Sequence, residues 1–120
     1  FRDPGEGRAV AQVFRGEVEP DDPTMRYFAA LAEAPDQDPA ALAALMSRPN
    51  PVPLTDEGLA RITCPVLVVI GDKDFAGPGD PLVEKLPDAR LVVLRNVDHF
   101  ATPKDFGFID AALGFLGAGI

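Results

Sequence analysis

Two stretches of the chain are apolar without interruption and of strand length. Val66-Leu67-Val68-Val69-Ile70 is mostly β-branched, opened by Pro65 and closed by Gly71, and Leu91-Val92-Val93-Leu94 is the second run. Neither alternates with polar positions, and such a run suits a strand covered on both faces, as parallel sheets are. Between them, Asp80-Pro81 opens a short helix through Leu82, Val83 and Leu86 that ends before Pro87. Strand, crossover helix and strand predict a βαβ unit whose strands run parallel with a right-handed connection. A last helix is predicted beyond it, with Thr102 as N-cap, Pro103 in the first position and Asp105 three residues after the cap. Phe106, Ile109, Leu113 and Leu116 recur at helical spacing and form the face expected to lie on the sheet. Gly117 and Gly119 let the helix end.

Residues 1–61 follow a different rhythm, that of short helices joined by prolines. Thr24 is read as the cap of a helix with Met25, Phe28, Ala29 and Ala32 on one face. Asp38 followed by Pro39 is a cap and first-turn signal, with Leu42, Leu45 and Met46 following at helical spacing. Arg48-Pro49-Asn50-Pro51-Val52-Pro53 then breaks any helix. These stripes read as packing surface, and no internal repeat or catalytic motif lies among them. The chain thus divides into a helical segment, 1–61, and an α/β segment, 62–120. A parallel sheet of only two strands leaves its outer edges unpaired, so the pattern asks for more strands than it contains. A partner segment is expected to complete the sheet, from upstream or from another chain. A first residue that is Phe1 rather than Met agrees with an upstream piece.

Composition narrows the possible functions. The 120 residues suit one domain, and 47% apolar residues suffice for a core, while 13 prolines and 11 glycines imply many short elements. Eleven basic against 19 acidic residues give a net charge of −8, opposite in sign to what nucleic-acid binding requires. No apolar stretch approaches the roughly 20 residues of a membrane span, and the start lacks the basic-then-apolar order of a signal peptide. The one cysteine, Cys64, has no partner for a disulfide or a multi-cysteine metal site. Beside Pro65 at the head of an apolar run, it is expected to be a small buried thiol, compatible with a cytoplasmic home. No Gly-rich phosphate loop is present, and no cofactor is implied.

Candidate chemistry sits where the two strands end. Ligands of open parallel sheets bind beyond the carboxyl ends of the strands. Gly71-Asp72-Lys73-Asp74-Phe75 leaves one such end and Arg95-Asn96-Val97-Asp98-His99-Phe100 leaves the other. Asp74 lies four residues past Ile70, and His99, the sole histidine, lies five past Leu94. On neighbouring parallel strands these offsets put a carboxylate and an imidazole at one end of the sheet. A nucleophilic hydrolase uses that pairing: the carboxylate orients the ring, and the ring removes the nucleophile's proton. Three other readings stand beside it. The Asp72-Lys73-Asp74 stretch could be a solvated turn, the histidine could be structural, or Asp72, Asp74 and Asp98 could gather around a hard cation.

Taken together, these segments resemble the C-terminal part of the α/β-hydrolase superfamily over residues 62–117. Ile62 through Asp74 is similar to the strand leading to that family's triad acid, with its Gly-x-x-Asp signature. Leu86 through Leu94 resembles the next helix end and strand, and Asp98-His99-Phe100 with the helix ending in Phe115-Leu116 resembles the histidine loop and last helix. The resemblance implies Asp74 as orienting acid, with Asp72 the weaker candidate, and His99 as general base. It also implies that residues 1–61 correspond to cap or lid helices, with Phe28 there and Phe100 beside the histidine as substrate contacts. The family's order of nucleophile, acid and histidine agrees. The nucleophile elbow itself, Gly-x-Ser-x-Gly or a relative, is absent: Ser47, the only serine, has no glycine two positions away and reads as a helix-end residue. The oxyanion hole is absent with it. The expectation is therefore an ester-cleaving or related hydrolase acting on a small molecule. This chain would supply acid and histidine, and an N-terminal hydrolase segment would complete the sheet and carry the nucleophile. The alternative is a hydrolase-like binding or interaction protein that has lost the chemistry.

Overall fold

The computed structural model of the chain describes residues 4–49 and 54–118. Asn50 to Pro53, the end of the helix-breaking segment, and Gly119 lie outside the described residues. Two compact units make up the chain, Phe1–Pro53 and Leu54–Ile120, so the division falls before Leu54 rather than after Arg61. The reason is local: Asp56–Ala60 forms a short helix whose exposed Asp56 pairs with Lys85 at 2.6 Å, which ties it to the second unit.

Among the described residues the first unit holds three helices: α1 (Pro4–Phe14), α2 (Pro23–Ala32) and α3 (Pro39–Ser47). Both α2 and α3 begin in one way, with an extended aspartate whose side chain accepts backbone N–H groups of the first turn and a proline pre-set for helix behind it. Asp38 accepts from Ala40 and Ala41 at 3.0 and 3.3 Å. Asp22, not Thr24, does this for α2, accepting from the Met25 N–H at 2.9 Å. Thr24 already lies inside the helix, because Pro23 can occupy the first turn and needs an N-cap before it. The core consists of Val10, Ala11 and Phe14 from α1, Ala32 from α2 and Ala43 from α3, with Met25, Phe28, Leu42 and Met46 packed around them. Leu45, expected on the same stripe as Leu42 and Met46, faces solvent instead. Where α1 meets α3, a Cβ on Gly7 would sit 2.8 Å from the Met46 carbonyl, so the absent side chain sets the approach of the two helices.

The second unit is mixed α/β. In chain order it holds α4 (Asp56–Ala60), β1 (Val66–Gly71), α5 (Asp80–Val83), β2 (Ala89–Leu94), one 3₁₀ turn (Thr102–Lys104) and α6 (Phe106–Phe115). The strands pair in parallel from Val66↔Ala89 to Gly71↔Leu94. β2 therefore begins two residues before the apolar run. α5 is shorter than expected and stops at Val83, yet Leu86 beyond it is buried. Among the described residues neither strand has a second neighbour. Val66 to Ile70 consequently remain only half-buried, and Val93 is 54% exposed.

Three further expectations for this unit are corrected. Thr102 and Pro103 begin the 3₁₀ turn, and α6 starts later, capped by Asp105, which accepts from Gly107 and Phe108 at 2.8 and 3.3 Å. The helix also presents the opposite stripe to its own unit. Phe106 and Leu116 are 86% and 73% exposed, and Ile109 and Leu113 are exposed as well. Phe108, Ala111, Ala112 and Phe115 are the half-buried set at helical spacing. Cys64 is likewise exposed, because it lies in the bend ahead of β1 and not in the strand. No described helix is long and apolar enough to cross a membrane.

Candidate functional site

The common last rung of the ladder, Gly71 opposite Leu94, launches two loops from the same level of the sheet. They are laced together by backbone. The Asp72 N–H donates to the Leu94 carbonyl at 2.9 Å, extending the ladder by one bond, and the Lys73 N–H donates to the Val97 carbonyl at 3.0 Å. Gly71 allows this contact. A Cβ there would stand 1.9 Å from the Val97 oxygen and 2.6 Å from its carbonyl carbon, so no other residue fits without parting the loops. The glycine of the Gly-x-x-Asp pattern thus has a packing cause: it makes room for the loop that carries His99. Val97 is itself buried and anchors that loop.

Asp72 belongs to the same lacing. Its carboxylate accepts the Asn96 N–H at 2.8 Å, and Asn96 takes a left-handed backbone, φ 60°, which asparagine tolerates better than most residues. Asp98 is turned inward on its own loop, accepting from the N–H groups of Phe100 and Ala101 at 3.0 and 2.8 Å. Its backbone carbonyl receives the Thr102 hydroxyl at 2.8 Å. The three aspartates therefore do not gather around a common point. Among the described residues no group of three or more His, Cys, Asp or Glu side chains is disposed to hold a metal ion.

Asp74 is placed differently. Its backbone N–H bonds the Gly71 carbonyl at 3.1 Å, which closes the turn after β1. Its Oδ1 accepts the Ala76 N–H at 2.8 Å, fixing the plane of the carboxylate. Its Oδ2 meets His99 Nδ1 at 2.9 Å. The Asp74 side chain is only 7% exposed, whereas that of His99 is 52% exposed. A carboxylate has acceptors and no donor, so Nδ1 carries the hydrogen of this bond, and in the neutral ring Nε2 is then the nitrogen that keeps a lone pair. No partner for Nε2 exists among the described residues. The arrangement is that of an oriented base: a fixed acid behind the ring, and an open nitrogen in front of it.

Phe100 lies beside the site, its ring edge-on to the imidazole at 5.6 Å. Phe28 belongs to the first unit, where it packs edge-on to Phe14 at 5.9 Å and to Tyr27 at 6.3 Å. Ser47 ends α3, its hydroxyl donating to the Ala43 carbonyl at 2.7 Å and accepting from Arg15 at 3.1 Å, the local bond of a helix-end serine. One residue at the site was not singled out from sequence. Phe75 follows Asp74 directly, and its ring lies 4.7 Å from the imidazole and 5.9 Å from the ring of Phe100. The only signal available was its place next to the acid. No protein-family model matches the chain, and no curated protein matches its sequence.

Proposed function

We propose that the chain is the acid- and histidine-bearing C-terminal part of an α/β-hydrolase that cleaves an ester or a related bond in a small molecule. The observation that carries this reading is the 2.9 Å contact between Asp74 Oδ2 and His99 Nδ1, with the acid shielded and the ring half-open. In the reaction, Nε2 of His99 takes the proton of a nucleophile as that group attacks the substrate carbonyl. The same nitrogen then returns the proton to the departing alkoxide. A water molecule, deprotonated in turn by Nε2, attacks the acyl carbonyl, and the acyl group leaves as the acid while the proton on Nε2 passes to the freed nucleophile. Asp74 keeps the ring in the productive tautomer and faces the charge that forms on it.

The nucleophile comes from a segment that also pairs with the open sheet. Unpartnered strand edges and the half-exposed apolar residues of β1 support such a segment, since strands of this composition are normally covered. The helical first unit corresponds to the family's lid segment, and Phe100, beside His99, contacts the substrate. The resemblance to the hydrolase family supports both assignments. A cytoplasmic location accords with the lone thiol of Cys64, which has no second cysteine to pair with.

The test expresses the chain together with the residues encoded before it and follows hydrolysis of p-nitrophenyl acetate and p-nitrophenyl butyrate. His99→Ala is expected to lower kcat by about 10²–10⁴-fold, the usual contribution of a positioned base. Equal turnover by wild type and His99→Ala removes the reading. A wild-type protein inert toward both esters, with no serine, cysteine or aspartate at a strand-to-helix elbow upstream, favours a binding protein instead.

A further inference from the structure

Each of the two loops supplies one polar group and one aromatic ring in consecutive positions: Asp74 then Phe75, His99 then Phe100. The rings of Phe75, His99 and Phe100 form a closed set. Phe75 lies against the imidazole at 4.7 Å with the planes 37° apart, Phe100 meets it edge-on at 5.6 Å and 83°, and the two phenyl rings are 5.9 Å apart. All three separations fall in the range of favourable aromatic pairs. Phe75 remains 48% exposed despite these contacts, a poor position for a residue whose only purpose is to fill a core.

We infer that Phe75, braced by Phe100, is a positioning residue for His99, holding the imidazole so that Nδ1 stays on Asp74. The need for one follows from the exposure of the histidine. Rotation about the last side-chain torsion of histidine is broad and roughly two-fold, so a half-turn would present a carbon to Asp74 in place of Nδ1. The imidazole, 52% exposed, would otherwise be free to make that turn, and water could compete for the carboxylate. Two rings, one tilted against its face and one set edge-on, leave less room for it. A pair of this kind biases the occupied orientation by about 2- to 10-fold. The catalytic meaning of the bias rests on the hydrolase reading, but the bias itself does not.

His99 is the only histidine, so its imidazole gives a single, unambiguous set of nitrogen and carbon-bound proton signals in the full 120-residue chain. Long-range nitrogen–proton correlation reads the tautomer, and saturation transfer from water reads exchange of the Nδ1 proton. In the wild type, the Nδ1–H form dominates and the ring protons are shifted upfield by the neighbouring phenyl rings. Phe75→Leu, which keeps bulk without a ring, is expected to speed Nδ1 proton exchange by about 2- to 10-fold, to mix the tautomers and to reduce the upfield shift. Phe75→Tyr, which retains the ring, is expected to restore all three. Backbone amide signals of Val66–Gly71 and Ala89–Leu94 establish that the strands persist in each variant. Wild-type ring protons without an upfield shift, or Phe75→Leu with unchanged tautomer and exchange, overturn the inference, and the first of these needs no variant to fold. In the assembled hydrolase, Phe75→Leu lowers kcat by the same factor with KM little changed. None of the resonance measurements requires turnover, so loss of the hydrolase reading through His99→Ala and loss of the clamp are separate results.

Discussion

Replacing Gly71 by alanine tests the packing that brings acid and base together. The added Cβ would lie 1.9 Å from the Val97 oxygen, and ordinary contact begins near 3.4 Å, so the two backbones must separate by about 1.5 Å. The obstacle is main chain, held on its other side by buried Val97, and cannot swing aside as a side-chain tip would. Overpacking of this kind costs about 1–3 kcal/mol. Losing the bond from the Lys73 N–H to the same carbonyl adds about 1 kcal/mol. A total of about 2–4 kcal/mol is a large part of the roughly 5–15 kcal/mol that stabilises a typical domain. Urea unfolding followed by far-ultraviolet circular dichroism should show the midpoint lowered by about 1–2 M. Gly114→Ala is the control. Gly114 lies within α6, and beyond its chain neighbours and its own helix backbone no atom stands within 4 Å of the added Cβ, so the change should raise stability by about 0.5–1 kcal/mol. A Gly71→Ala protein with the wild-type midpoint and slope would refute the claim that this glycine is required by the passing loop.

Two further outcomes are expected. On the proposed hydrolase function, Asp74→Asn, assayed on p-nitrophenyl butyrate with the upstream segment present, should lower kcat by about 10³–10⁴-fold, because an amide that still accepts from Ala76 turns its NH₂ toward Nδ1 and favours the wrong tautomer; a loss below tenfold contradicts the assignment of the acid. Asp38→Ala should destabilise α3 by about 1 kcal/mol through loss of the bonds to Ala40 and Ala41, while Thr24→Ala, inside α2 and not at its cap, should change stability by less than about 0.5 kcal/mol in thermal unfolding.

The parts legible in the sequence were those determined by neighbours along the chain. Val66 to Ile70 and Leu91 to Leu94 read as strands because β-branched runs bounded by proline, glycine or charge have few other stable forms. Asp38 and Pro39 announced their helix, and Asp22 with Pro23 carried the same signal although Thr24 drew the reading away from it. Asp74 and His99 could be paired because short loops leaving the same ends of adjacent parallel strands bring side chains to one end. What failed depended on choices that tertiary structure makes. α6 is apolar on both stripes, so periodicity could not say which one faces the sheet; the small side chains of Ala111 and Ala112 accompany Phe108 and Phe115 on the inner one. Its start was misplaced because Thr102-Pro103 and Asp105 are both good helix-opening signals, and the first was spent on a 3₁₀ turn. The ring of Phe75 was invisible for a similar reason, since its contacts arise between loops distant in sequence.

Because both loops depart from one rung, the spacing between acid and base is inherited from how the strands are aligned. Sliding β1 past β2 by a single residue would shift Asp74 by about 3.3 Å along the sheet and turn alternate side chains to the other surface. The Asp74–His99 bond therefore serves as a gauge of strand alignment. Deleting one residue within Val66–Gly71 or Ala89–Leu94 would separate the pair at a stroke.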